Sequence, residues 1–152
     1  MSKVNALEQG LLELLFTNVD TAFDNVGDAT GIVASSGAGS LYIALFTATP
    51  GETGSSTNEA DYTGYARVAV GRSGSNWTVS ADDPDYQVTN DNEIAFAQCT
   101  GGSNSITHFA ICKAGAASTD DMLYYGALDT SRTVDNGVTP KFAIGAIVVK
   151  EG

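Results

Sequence analysis

The sequence predicts a mainly β fold: an antiparallel β-sandwich or barrel, jelly-roll-like, with one N-terminal α-helix. Apolar residues recur at helical spacing near the N terminus, and from residue 41 onward short apolar runs alternate with turn-forming residues. The chain has 152 residues, the length of about one domain. At this length, folding buries about 70% of the unfolded chain's surface, which is enough for a core without disulfides or metal ions.

The N-terminal helix is predicted from the spacing of its large apolar residues, which lie three or four positions apart as on one helix face. They are Val4, Leu7, Leu11 and Leu14. From residue 17 to residue 40 the period is lost and a Gly/Ser-rich stretch follows. We therefore interpret residues 1–40 as a helix with a linker arm and residues 41–152 as the β-sandwich, together a single structural domain.

The strands are predicted from seven short apolar runs, each bounded by the residue types that form turns. These runs are 41–47, 65–70, 77–80, 93–99, 106–113, 122–128 and 142–150. Their regular spacing favours antiparallel strands over alternating βαβ units. The best hairpin signal is Asp135-Asn136-Gly137, because Asn-Gly suits the positive φ angles of a tight turn.

The composition argues against several classes of partner. With 18 acidic and 7 basic residues, the formal net charge is -11. Duplex binding depends largely on phosphate neutralisation by Lys and Arg, so we expect no nucleic-acid partner, and an anionic membrane is disfavoured for the same reason. Runs of about 18 apolar residues are absent from the sequence, and residues 1–10 do not resemble a signal peptide. We expect synthesis in the cytosol.

Residues that catalyse reactions or bind metals are few. The single histidine, His108, lies in an apolar run, where a half-buried strand histidine is the simplest interpretation. Cys99 and Cys112 are too few for a disulfide framework, so we expect buried thiols, with a cross-strand bridge as the alternative. We predict no catalytic residues, no cofactor and no metal ligands, and hence no enzyme.

The segment from Asp82 to Glu93 is predicted to be an acidic loop. Its carboxylates are the kind of ligand that calcium prefers. However, Asp82-Asp83-Pro84-Asp85 lacks the alternation and central glycine of an EF-hand loop, so a solvated loop is the simpler interpretation. Whether this loop binds a cation stays open from the sequence.

A protein interface is the remaining candidate site. The runs 41–47 and 142–150 have no polar face, and such strands are normally covered on both sides. The second cover is either the N-terminal helix or another protomer. Aromatic residues are also enriched at interfaces. The candidate interface residues are Val4, Leu7, Leu11, Leu14, Tyr42, Phe46, Tyr65 and Trp77.

Several short sequence motifs also occur in a fixed order along the chain. They are LYIALFTATP (41–50), GYARVAV (64–70), Trp77, EIAF (93–96), ITHFAI (106–111), YGAL (125–128) with SRTV (131–134), and TPKFAIGA (139–146). With these motifs the chain resembles a family of small structural proteins of tailed bacteriophages, labelled tail-fibre-like or capsid decoration proteins. It departs from that pattern in a long segment at 19–40 and in the acidic loop.

The resemblance implies a virion protein, made in the cytoplasm of the host bacterium, with no catalytic residues to carry over. Our leading expectation is a capsid decoration or cement protein that binds the outside of the head shell in many copies. The alternative is a tail- or tail-fibre-associated adaptor or receptor-binding protein. The expected partners are the major capsid protein or tail proteins, together with further copies of the chain in a homo-oligomer.

Overall fold

The computed structural model describes residues 2–21, 23, 26, 32–118 and 120–151. Helix α1 (Asn5–Leu12) continues into a π-helical turn (Glu13–Thr17), and a 3-10 turn covers Ser56–Asn58. The strands are β1 (Ser40–Phe46), β2 (Val68–Gly71), β3 (Trp77–Asp82), β4 (Asp85–Asn90), β5 (Ile94–Ala95), β6 (Asn104–Cys112), β7 (Met122–Val134), β8 (Lys141–Phe142) and β9 (Val148–Glu151). The predicted class, mainly β with antiparallel sheets of the β-sandwich type and one N-terminal helix, is confirmed.

The chain forms two compact units, and each carries its own sheets. The first unit comprises residues 1–39, 71–93 and 143–152 and contains the sheet β3–β4–β9. The second unit comprises residues 40–70 and 94–142 and contains the sheets β2–β1–β6–β7 and β5–β8. The division at residue 40 that we expect from the sequence stays a prediction.

The helical segment of the first unit belongs to that unit's core. Leu12 and Phe16 are fully buried, and the Phe16 ring meets the Trp77 ring edge-on with 5.0 Å between centroids. The last carbonyl groups of a helix lack intrahelical partners. Arg72 supplies one, because its Nε donates to the carbonyl oxygen of Leu15 at 2.7 Å. The helix is therefore held both by apolar packing and by a cation at its C-terminal end.

Two predictions for the first unit are wrong. Strand β4 lies inside the segment 82–93 that we expect to be a loop, and it pairs with β3 as far as Asp82 opposite Asp85. The predicted strand 142–150 is also interrupted by a turn. The buried Asn90 explains this break, because its amide donates to the carbonyl oxygen of Ala143 at 2.9 Å and its Oδ1 accepts from the Ile147 amide at 2.8 Å.

In the second unit, β1 is buried on both faces. Leu41, Ile43 and Leu45 are at most 3% exposed on one face, and Ala44 and Phe46 are fully buried on the other. The absence of a polar face in this strand therefore reflects cover within the isolated chain. No partner subunit is needed to explain it.

The ladder between β6 and β7 changes register part-way along. Ile106 lies opposite Arg132 and His108 lies opposite Ala127, so two steps along β6 correspond to five along β7. Strand β7 also lies at one end of the strand order in its sheet. It is thus an edge strand with a large irregularity in its middle.

A buried ion cluster joins the loops of the second unit. The Arg67 guanidinium donates to both carboxylate oxygens of Glu59, at 2.7 and 2.8 Å, and its Nη1 also binds Asp121 and the carbonyl oxygen of Ala114. The bond to Glu59 is the main cause that raises the pKa of Arg67. The Tyr65 hydroxyl completes the cluster by donating to Glu59 at 2.8 Å.

We expect Arg67→Met to lower the free energy of unfolding by about 3 to 5 kcal/mol, because it leaves the carboxylates of Glu59 and Asp121 without their buried cation. Urea unfolding followed by fluorescence measures this change. The control is Arg132→Met on the exposed part of β7, which should stay within about 0.5 kcal/mol of the parent chain. Equal losses for both variants would contradict a structural role for the cluster.

We expect Gly64→Ala to destabilise the chain by about 1 to 3 kcal/mol. Gly64 has φ +100°, and a Cβ built there would lie 2.8 Å from the carbonyl oxygen of Gln98. Gly74→Ala is the matched control, because a Cβ there meets nothing within 4 Å. Thermal unfolding of both variants checks the prediction, and a Gly64→Ala melting temperature equal to that of Gly74→Ala would contradict it.

Candidate docking groove

The predicted turn at Asp135-Asn136-Gly137 joins two arms that pair with different strands. It closes as expected, with the Val138 amide donating to the Asp135 carbonyl at 2.9 Å and with φ +91° at Gly137. The arm before it, at the end of β7, pairs with β6. The arm after it runs beside residues 96–99 and then enters β8, which pairs with β5. The two arms therefore diverge, and a groove opens between them.

This β7–β8 groove has a volume of about 290 Å³ and an apolar floor. Leu45, Ile106 and Val134 are buried at its base. Exposed residues of both arms form the rim, including Val138, which is 39% exposed. The remaining lining residues are Arg132, Thr133, Thr139, Pro140, Lys141 and Phe142. The groove combines apolar surface with polar edges, as protein interfaces do.

The rim carries positive charge on a chain whose net charge is -11. Arg132 and Lys141 are both exposed, one on each arm. Elsewhere in the chain, Arg67 lies in the buried cluster, Arg72 binds the helix end, and Lys3 forms an ion pair with Glu151 at 3.2 Å. The groove is therefore a local basic site, and charge complementarity favours an acidic partner.

A second, smaller cavity of about 200 Å³ lies between the loop at 51–54 and the start of β7. The Tyr125 hydroxyl donates to the Glu52 carboxylate at 2.6 Å on its wall, and this bond raises the pKa of Tyr125. Asp120 adds a further carboxylate to the lining. The cavity is more polar than the β7–β8 groove and lacks a basic residue among its lining side chains, so the groove is the better candidate for docking.

Comparison with protein families shows that residues 3–150 match the family described as Podophage GP4 fiber I protein gp80. The chain belongs to this family. The match covers nearly the whole chain, so it includes both compact units and the groove. The curated proteins contain no match to the chain.

Membership of the fibre family confirms the phage virion structural protein that the short sequence motifs indicate. Because a fibre is part of the virion, the family also supports the expected location in the virion. Within the described residues, helices are too short or too polar to cross a membrane.

The four candidate interface residues in the N-terminal helical segment, from Val4 to Leu14, are exposed to different degrees. Val4 is 68% exposed, whereas Leu7, Leu11 and Leu14 are half-buried. The buried face of the helical segment carries Leu12 and Phe16 instead. The four apolar residues that we predict from spacing therefore lie partly next to the buried face and not on it. Whether these four residues contact a partner stays a prediction.

The candidate interface residues on the strands lie mainly inside the chain. Phe46 is fully buried and Trp77 is 1% exposed, so neither has surface to offer a partner in this fold. Both pack in cores, Trp77 against Phe16 and Phe46 in a cluster with Ala44. Tyr42 and Tyr65 are half-buried. The Tyr65 hydroxyl accepts a hydrogen bond from the Leu45 amide and donates one to the Glu59 carboxylate.

The histidine and the two cysteines, the side chains best suited to catalysis or metal binding, do not line either cavity. His108 is half-buried and its Nδ1 bonds the Thr107 hydroxyl at 2.8 Å. Cys99 and Cys112 are free and buried, so the expected thiols are confirmed and the alternative of a bridge is wrong. In the part of the chain that the structure describes, His, Cys, Asp and Glu side chains form no group of three that could hold a metal ion.

The groove itself was not predicted from the sequence. Arg132 and Lys141 flank the Asn-Gly turn in a chain with few basic residues, and that is the available signal. The turn predicts a closed hairpin, however, and in a closed hairpin the arms pair with each other. Only the long-range pairing of the arms with β6 and β5 shows that they separate.

We expect both thiols to resist dithiobis(nitrobenzoic acid) in the native chain at about pH 8. Burial raises the pKa of Cys112 to about 12, so the nucleophilic thiolate is scarce, and Cys99 is fully buried. Absorbance should report two reactive thiols per chain only in guanidinium chloride. An exposed cysteine introduced by Ala117→Cys is the control and should react at once. Immediate reaction of the parent chain would contradict the prediction.

Proposed function

We propose that the chain is a structural subunit of a phage fibre, held in the virion by protein–protein contacts. The observation that carries this proposal is the match to the fibre I protein family over residues 3–150. The family description favours the tail-fibre alternative over the capsid decoration that we first expected from the sequence.

The proposed role is non-enzymatic. A family described as a fibre protein implies structural work, and the single histidine of the chain, His108, is bonded to its neighbour Thr107. The proposed partners are tail proteins and further copies of the chain, with nucleic acid and membranes outside the set because of the net charge of -11. The β7–β8 groove, with its apolar floor and basic rim, is the surface best suited to such a contact.

Immunogold electron microscopy on intact virions tests the location. An antibody against this chain should place gold on the tail or its fibres. Pre-immune serum on the same particles is the control for nonspecific labelling. Gold spread over the head would support decoration and overturn the fibre proposal, and unlabelled particles would remove the chain from the virion surface.

A further inference from the structure

We infer that copies of the chain associate head to tail, with the acidic tip of the β3–β4 hairpin of one copy seated in the β7–β8 groove of the next. This inference rests on the proposed fibre function and deepens it by naming the partner and the contact. It combines two features that lie far apart in the sequence and have opposite charge.

The hairpin tip presents an apolar residue between carboxylates. Strands β3 and β4 pair as far as Asp82 opposite Asp85, so Asp83 and Pro84 form the tip, and both are exposed. Asp82 binds Lys150. Asp83 has no ion pair or hydrogen bond with the residues that the structure describes, so its carboxylate is available to a partner.

Several other carboxylates are less suited to this contact, because they already bind groups within the chain. Asp121 and Glu59 bind Arg67, Glu52 accepts from Tyr125, and Asp61 accepts from Asn104. The β3–β4 tip therefore stands out among the described acidic residues, with an exposed carboxylate directly beside an exposed apolar ring.

The groove is complementary to this tip in both chemistry and charge. Its buried floor of Leu45, Ile106 and Val134 suits the Pro84 ring, and the exposed Arg132 on its rim suits the Asp83 carboxylate. Each copy carries a net charge of -11, so two copies repel at long range. Salt screens that repulsion beyond about 8 Å at physiological ionic strength, whereas the direct contact between opposite charges persists.

Tip and groove are different surfaces of the chain, so the contact is heterologous. Each copy that docks its tip keeps its own groove open for another copy. Association of this kind continues to a closed ring or to an open filament, depending on whether the rotation between copies closes.

Sedimentation velocity of the full chain over a range of concentrations tests the inference. The sedimentation coefficient of the parent chain should rise with concentration. We expect Arg132→Glu and Asp83→Arg each to weaken association at least tenfold. Lys113→Glu is the matched control, because Lys113 is exposed in the same unit but does not line the groove, and the charge change equals that of Arg132→Glu. It should associate as the parent chain does.

Mixing the two weakened variants provides the decisive measurement. The Asp83→Arg chain has a basic tip and a basic groove, and the Arg132→Glu chain has an acidic tip and a less basic groove. Their mixture should recover association, because the unchanged acidic tip of the Arg132→Glu chain can dock in the unchanged groove of the Asp83→Arg chain. If Arg132→Glu fails to fold by circular dichroism, Arg132→Gln replaces it at the same position.

A parent chain that stays monomeric at every concentration would overturn the inference. So would equal losses in Lys113→Glu and Arg132→Glu, or a mixture that stays monomeric. None of these results changes where immunogold places the chain in the virion, so failure of the head-to-tail contact is distinguishable from failure of the fibre proposal.

Discussion

The second unit depends on one buried cation. Arg67 is 9% exposed and binds two carboxylates, Glu59 and Asp121, one from each of the two sequence segments that make up that unit. Charges removed from water are tolerated only when their partners stay in place, so each of the three groups requires the other two. The cluster thereby fixes the loop before β2 and the loop before β7 to each other, and the four-stranded sheet is built between them.

The same cluster is connected to the groove by the hydroxyl group of Tyr65. Tyr65 donates to Glu59 and accepts from the backbone amide of Leu45, and the Leu45 side chain forms part of the groove floor. Tyr65 also begins a row of rings that continues through Phe96 to Phe142, another lining residue. The groove is thus supported from beneath by core residues, and this rigidity lowers the conformational cost of docking a partner.

The fold class was predictable because apolar periodicity reports local structure directly. Strand β4 was not predicted because most of its residues are acidic or polar, and only its pairing with β3 and β9 defines it as a strand. Phe46 and Trp77 were assigned to an interface because burial in a core and burial against a partner favour the same apolar side chains. The groove was not predicted because a turn motif specifies only the bend of the chain. The directions of the two arms depend on their pairing with the distant strands β5 and β6.

Finally, the broken register of β7 has a consequence for how the protein behaves at high copy number. An exposed edge strand is a template on which identical chains stack side by side into aggregates. In β7 the pairing with β6 changes register near the middle of the strand, and irregularities of this kind bend and twist an edge strand. The irregular β7 is therefore a poorer template for side-by-side stacking of copies than a straight edge strand of the same length.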